Sequence, residues 1–106
     1  ELAPFGRAKK DYGPYKNKQG YVMIYQPDHP NAQKSGRIGE HTLVMSEHIG
    51  RPLLPKENVH HKNGVRDDNR IENLELWSTS QPYGQRVKDK LEWARELIEL
   101  YDGVEL

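Results

Sequence analysis

The chain has 106 residues, 34% of them hydrophobic, with sixteen Lys and Arg balanced by sixteen Asp and Glu; its mean hydropathy is −1.01. That length suits one small domain of narrow stability margin, and no run approaches the roughly 20 apolar residues of a membrane span. Zero cysteines exclude disulfides, thiolate zinc sites and cysteine nucleophiles, and they fit a reducing compartment. No signal peptide opens the chain, and Glu1 in place of Met reads as a trimmed or partial N-terminus.

Residues 1–19 are rich in Lys, Gly and Pro, and their few apolar residues show no period, so they read as a basic, flexible arm. The run Gly20-Tyr-Val-Met-Ile-Tyr25 is β-branched and aromatic, which predicts a strand ended by Pro27. Turn residues around Pro27-Asp-His-Pro30 and Lys34-Ser-Gly36 lead to a second short strand near Arg37–Gly39. Leu43, Val44 and Ile49 then share a helical face over Glu40–Ile49, and Gly50 and Pro52 stop that helix. Two short apolar-flanked segments, 59–61 and 74–77, enclose a polar loop containing Asn63-Gly64, a strong tight-turn signal. Val87, Leu91, Ala94, Leu97, Ile98 and Tyr101 recur at helical spacing and give a long C-terminal helix closed by Gly103. The expected fold is a small α+β domain: strand pair, helix, short hairpin with an intervening helical turn, long helix.

The zero net charge is a cancellation. Residues 1–39 hold seven basic against three acidic residues, and residues 40–106 hold nine against thirteen, so +4 offsets −4. A phosphate meets local charge rather than the sum. Arg7, Lys9, Lys10, Lys16 and Lys18 interleave with Phe5, Tyr12 and Tyr15, a composition suited to tracking a nucleic-acid backbone or to a solvated arm. Lys62, Arg66 and Arg70 lie in the polar loop. Arg86 and Lys88 begin the last helix, where backbone N–H groups add to the attraction for phosphate.

The densest chemistry lies in Val59-His60-His61-Lys62-Asn63-Gly64 and Asp67-Asp68-Asn69-Arg70-Ile71-Glu72-Asn73-Leu74. Adjacent histidines on a strand face opposite ways, so they suit two roles: one holding a metal, the other taking a proton. A structural pair on a surface strand is the plain alternative. Asn73 can return beside His61 and fix its ring, or cap a turn. Asp68-Asn69 reads as a helix-start cap, with Asn69 as an alternative to Asn73. His41 opens the first helix, either near a metal or packing against the strand of His61. His29 and His48 read as surface residues, and Trp77 and Trp93 as core or helix-face aromatics.

From 20 to 101 the chain resembles the HNH endonuclease family of phage-type and homing-type enzymes, whose core is the ββα-metal (His-Me finger) motif. The resemblance rests on Glu40-His41-Thr-Leu-Val-Met45, Gly50-Arg-Pro-Leu-Leu54, Val59-His-His-Lys-Asn-Gly64 and Asp68-Asn69-Arg-Ile-Glu-Asn-Leu74. It implies a nuclease domain over 20–106 with its ββα core at about 56–88, cutting DNA phosphodiesters with one divalent metal. His61 then matches the general base, His60 the preceding metal ligand, and Asn73 the residue that steadies the base-bearing loop. The second ligand falls in Ser78-Thr-Ser-Gln81-Pro-Tyr-Gly-Gln85, where Gln81 replaces the commoner Asn or His and in the bland reading is an ordinary turn residue before Pro82. His41 and Asn69 stand as supporting residues. Mg²⁺ or Mn²⁺ is the implied ion, and a histidine ligand also admits Zn²⁺, Ni²⁺ or Co²⁺. The implied setting is the cytoplasm of a bacterial or phage-infected host cell, with DNA as partner and no membrane. Phage packaging proteins would be partners of an accessory nuclease, and a homodimer would serve cutting of both strands. The rivals are a DNA-binding module with a weakened site and a scaffold built around a structural metal.

Overall fold

Tyr15–Lys16 (β1), Val22–Tyr25 (β2) and Arg37–Gly39 (β3) form an antiparallel sheet in the order β1-β2-β3 in the computed structural model, which describes residues 11–106. Expectations resting on Phe5, Arg7, Lys9 and Lys10 lie outside the described residues. The expected strand pair is present, but it gains a third strand from within the segment read as a flexible arm. Arg37 holds that segment. Its guanidinium donates to the carbonyls of Asp11 and Gly13, both at 2.8 Å, and lies 5.0 and 5.4 Å from the Tyr15 and Tyr25 ring centres. A cation placed this way orders the backbone with no apolar run, so hydrophobic periodicity carries no trace of it.

Glu40–Ile49 (α1) follows β3 directly. Gly50 adopts a left-handed φ of 78° and returns its N–H to the Ser46 carbonyl, which closes the helix. α1 packs against β2 and β3 on one side, and against the hairpin of Glu57–His61 (β4) and Leu74–Ser78 (β5) on the other. Met45 of α1, Leu53 and Leu74 are the buried centre, ringed by Val44, Ile49, Val59, Ile71 and Leu76. Met23 of β2 and Ile38 of β3 are also buried. His29, expected at the surface, is half-buried because its Nε2 meets the hydroxyl of buried Ser46 at 3.1 Å.

The hairpin register pairs His61 with Leu74 beside the turn and Glu57 with Ser78 at the far end. The loop between includes a 3-10 turn, Ile71–Asn73, the helical turn expected there. Val87–Tyr101 (α2) completes the β-β-α order. Its attachment is polar: Trp93 Nε1 donates to Ser80 Oγ at 3.1 Å, and the Tyr101 hydroxyl donates to Glu57 Oε2 at 2.6 Å. Glu57 is buried at 6% exposure, and it also accepts two hydrogen bonds from Arg51 and one from the Leu54 N–H. Burial alone would raise its carboxyl, but Arg51, the Leu54 N–H and Tyr101 outweigh it and bring the pKa down to about 2. Trp77, expected as a core or helix-face aromatic, is 50% exposed because its strand position faces away from α1. The described residues thus form an α+β domain of two helices and two small antiparallel sheets. Among them no helix is long and apolar enough to cross a membrane.

Candidate active site

Strand alternation turns Val59 and His61 toward α1 and leaves Asn58 and His60 exposed. His61 therefore meets α1 where that helix begins. Its Nε2 lies 2.6 Å from Asn69 Oδ1, and Asn69 Nδ2 donates to Glu40 Oε1 at 2.8 Å. Three rings gather beside this chain of contacts: His41 is 5.0 Å from Tyr21 and 5.2 Å from His61, and Tyr21 is 6.0 Å from His61. A cleft of about 650 Å³ runs past them, lined by Tyr21, His41, His60, His61 and Arg66 among others.

Burial, helped by nearby His61 and opposed by Glu40, lowers the His41 pKa to about 4. His41 is thus a neutral ring at physiological pH. Its Nδ1 is buried with no hydrogen-bond partner among the described residues, and the ring lies close over Gly39. Glycine is needed there for space: its φ of −62° is ordinary, but a Cβ would lie 2.5 Å from His41 Cε1. Gly39→Ala should therefore cost about 1–3 kcal/mol in urea unfolding and displace the His41 ring. A fully stable variant with unchanged His41 ring resonances would refute that packing role.

Asn73 is buried, but it does not touch the His61 ring. Its amide donates to the Asp68 carbonyl at 2.8 Å and to Asn63 Oδ1 at 3.0 Å, while its Oδ1 accepts from the Asn63 N–H at 3.2 Å. Its own carbonyl accepts from Lys62 N–H at 2.8 Å. Asn73 clamps the loop that leaves His61, and Asn69 takes the ring contact. The Glu40 contribution is absent from the expected site, because nothing in local spacing reveals a contact across 29 residues. The only sequence signal is its place beside His41 at the start of a helix.

Among the described residues His60 lines the cleft and Gln81 does not. The His60 ring stacks on Trp77 with centroids 3.8 Å apart and planes 16° apart. Gln81 follows the Glu57–Ser78 end of the hairpin, whereas His61 sits at the turn end. Residues 79–86, which include Pro82 and Gly84, precede α2, so Gln81 is exposed on a loop rather than carried on a helix. Among the described residues no group of three or more His, Asp or Glu is placed to hold a metal ion.

The expected phosphate-binding cations divide into two groups. Lys16 is paired with Asp67 at 2.7 Å, Arg70 with Asp68 at 2.8 Å and Arg86 with Asp89 at 3.0 Å. The Lys16 and Arg70 contacts hold the Asp67 and Asp68 carboxyls below the ordinary range. Arg66 donates to the Gln19 carbonyl at 2.8 Å and lies 5.1 Å from the Tyr21 ring centre, at the cleft. Lys18, Lys62 and Lys88 form no salt bridge among the described residues.

Residues 39–82 match a family model described as HNH endonuclease. No curated protein and no solved structure matches the chain significantly. The matched segment spans α1, the hairpin and the loop to residue 82, and so contains every residue of the Glu40, Asn69 and His61 contacts. Over residues 39–82 the chain is similar to HNH endonucleases.

Proposed function

We propose that the chain is an HNH endonuclease and hydrolyses DNA phosphodiester bonds, with His61 as the general base. The observation that carries the reading is the state of the His61 ring. One nitrogen is fixed by Asn69 at 2.6 Å, and the other has no protein partner among the described residues in a cleft that also holds Arg66. A ring held at one nitrogen and open at the other suits proton transfer from a bound water. His61 takes one proton, the water oxygen attacks phosphorus in line, and the bond to the departing nucleotide oxygen breaks. Asn73 keeps the loop of Lys62 and Arg66 at a set distance from that ring, so that a phosphate drawn by the cations lies near the base. Enzymes of this family work with a divalent ion, which stabilises charge on the leaving oxygen when bound.

Supercoiled plasmid incubated with the full chain and Mg²⁺ or Mn²⁺ should give nicked or linear product, and excess chelator should stop it. Plasmid left intact in every divalent ion would overturn the reading. The exposed loop position of Gln81 favours one alternative, a DNA-binding module with a weakened site. That alternative predicts a gel shift of duplex DNA with no cut product.

A further inference from the structure

Asn69 stands between two groups of opposite demand. An ionised carboxylate only accepts hydrogen bonds, so Glu40 Oε1, at 2.8 Å, must face the Asn69 amide N–H. The helix N-terminus around Glu40, the first residue of α1, favours that negative charge. The Asn69 carbonyl oxygen is thereby turned to His61 Nε2, at 2.6 Å, and a carbonyl can only accept. In the neutral imidazole Nε2 then carries the proton, and the lone pair is left on Nδ1. Glu40, Asn69 and His61 are all half-buried, so water competes little for these contacts. The other ionisable groups around the ring are His41 on α1 and Tyr21 beneath Arg66, and neither hydrogen-bonds to it.

We propose that Glu40 is a positioning residue: through Asn69 it fixes His61 in the Nε2–H form and makes Nδ1 the atom that takes the proton from water. The inference rests on His61 being the base. Asn69 alone would not select this form, because its amide can turn over and present either end. The carboxylate removes that freedom.

Nitrogen NMR of the isotope-labelled full chain, without DNA, reads the protonated ring nitrogen directly. Wild type should show a single Nε2–H form for His61. In Glu40→Gln the new amide donates as well as accepts, so Asn69 can turn and His61 should become a mixture of both forms. Cleavage by that variant should lose about 10- to 100-fold in kcat with little change in KM. The double variant Glu40→Gln with Asn69→Asp should restore the single form, because the new carboxylate accepts from Nε2–H itself. An Nδ1–H form in wild type, or a Glu40→Gln variant with both ring form and rate unchanged, would overturn the relay. The wild-type spectrum does not depend on any variant folding. It does not depend on cleavage either, so a chain that cuts no DNA would refute the nuclease reading while the ring form still decides the relay.

Discussion

His61→Ala is expected to lower DNA cleavage by about 10²- to 10⁴-fold, the usual contribution of a general base. Binding of DNA should stay close to wild type in a gel-shift titration, because the cations of the cleft and loop, Arg66 and Lys62, sit on other residues. The fold should also survive. His61 lies at the end of β4, among the described residues its side chain hydrogen-bonds only to Asn69, and Asn69 keeps its contact to Glu40 when the ring is gone. The same loss of rate with lost DNA binding would mean that the ring holds the substrate instead. Undiminished cutting would remove His61 from the reaction altogether.

Glu57→Ala should be the most destabilising single change, at about 3–5 kcal/mol by urea unfolding, because it strands the Arg51 charge. Against a total stability of about 5–15 kcal/mol for a domain, such a loss populates the unfolded chain measurably. The ground is the number of groups that converge on one buried carboxylate. Arg51 donates twice at 2.8 Å, the Leu54 N–H at 2.7 Å and the Tyr101 hydroxyl at 2.6 Å. Arg51→Met should cost a similar amount by leaving Glu57 buried and unpaired. The double variant Arg51→Met with Glu57→Leu should cost less than the two single losses added together. Acid should act in the same direction. The Glu57 pKa falls from its ordinary 4.5 to about 2 in the folded chain, so the stability it contributes is complete above 4.5 and is lost as pH drops toward 2. Single variants that cost under about 1 kcal/mol would show that the cluster closes α2 onto β4 without stabilising the domain.

The elements that bury an apolar face could be read from local pattern. α1 is bounded by Gly50 and Pro52 and carries its apolar residues at helical spacing; the hairpin is marked by Asn63-Gly64 between two short apolar segments. What could not be read is what rests on polar groups far apart in sequence. β1 is held through Arg37 and backbone carbonyls, and Asn69 meets Glu40 across 29 residues; neither contact leaves a periodic trace. Strand alternation separates His60 from His61, and the stack on Trp77 adds a partner for His60 that spacing does not reveal. Asn73 does return to the His61 end of the hairpin, but its amide is taken up by Asn63 and Asp68, which leaves the ring to Asn69. The loop that holds Gln81 illustrates the same limit: a donor placed by counting from a motif needs the counted segment to be helical, and Pro82 with Gly84 stands where the helix would have to be.

α1 is the shared wall between the two sheets, and the side chains of the site reach it from both directions. Glu40 and His41 come from its first turn, Tyr21 from just before β2, and His61 and Asn69 from the hairpin. β3 ends at Gly39 and α1 starts at Glu40 with no intervening residue, so the strand fixes the angle at which the helix begins. Each residue added or removed between Glu40 and Met45 would turn that first turn by about 100° relative to the core contact of Met45. Both sheets would still close their own ladders after such a slip, while Glu40 would swing away from Asn69. The angular phase of one helix thus decides whether five side chains meet, quite apart from whether the chain is folded.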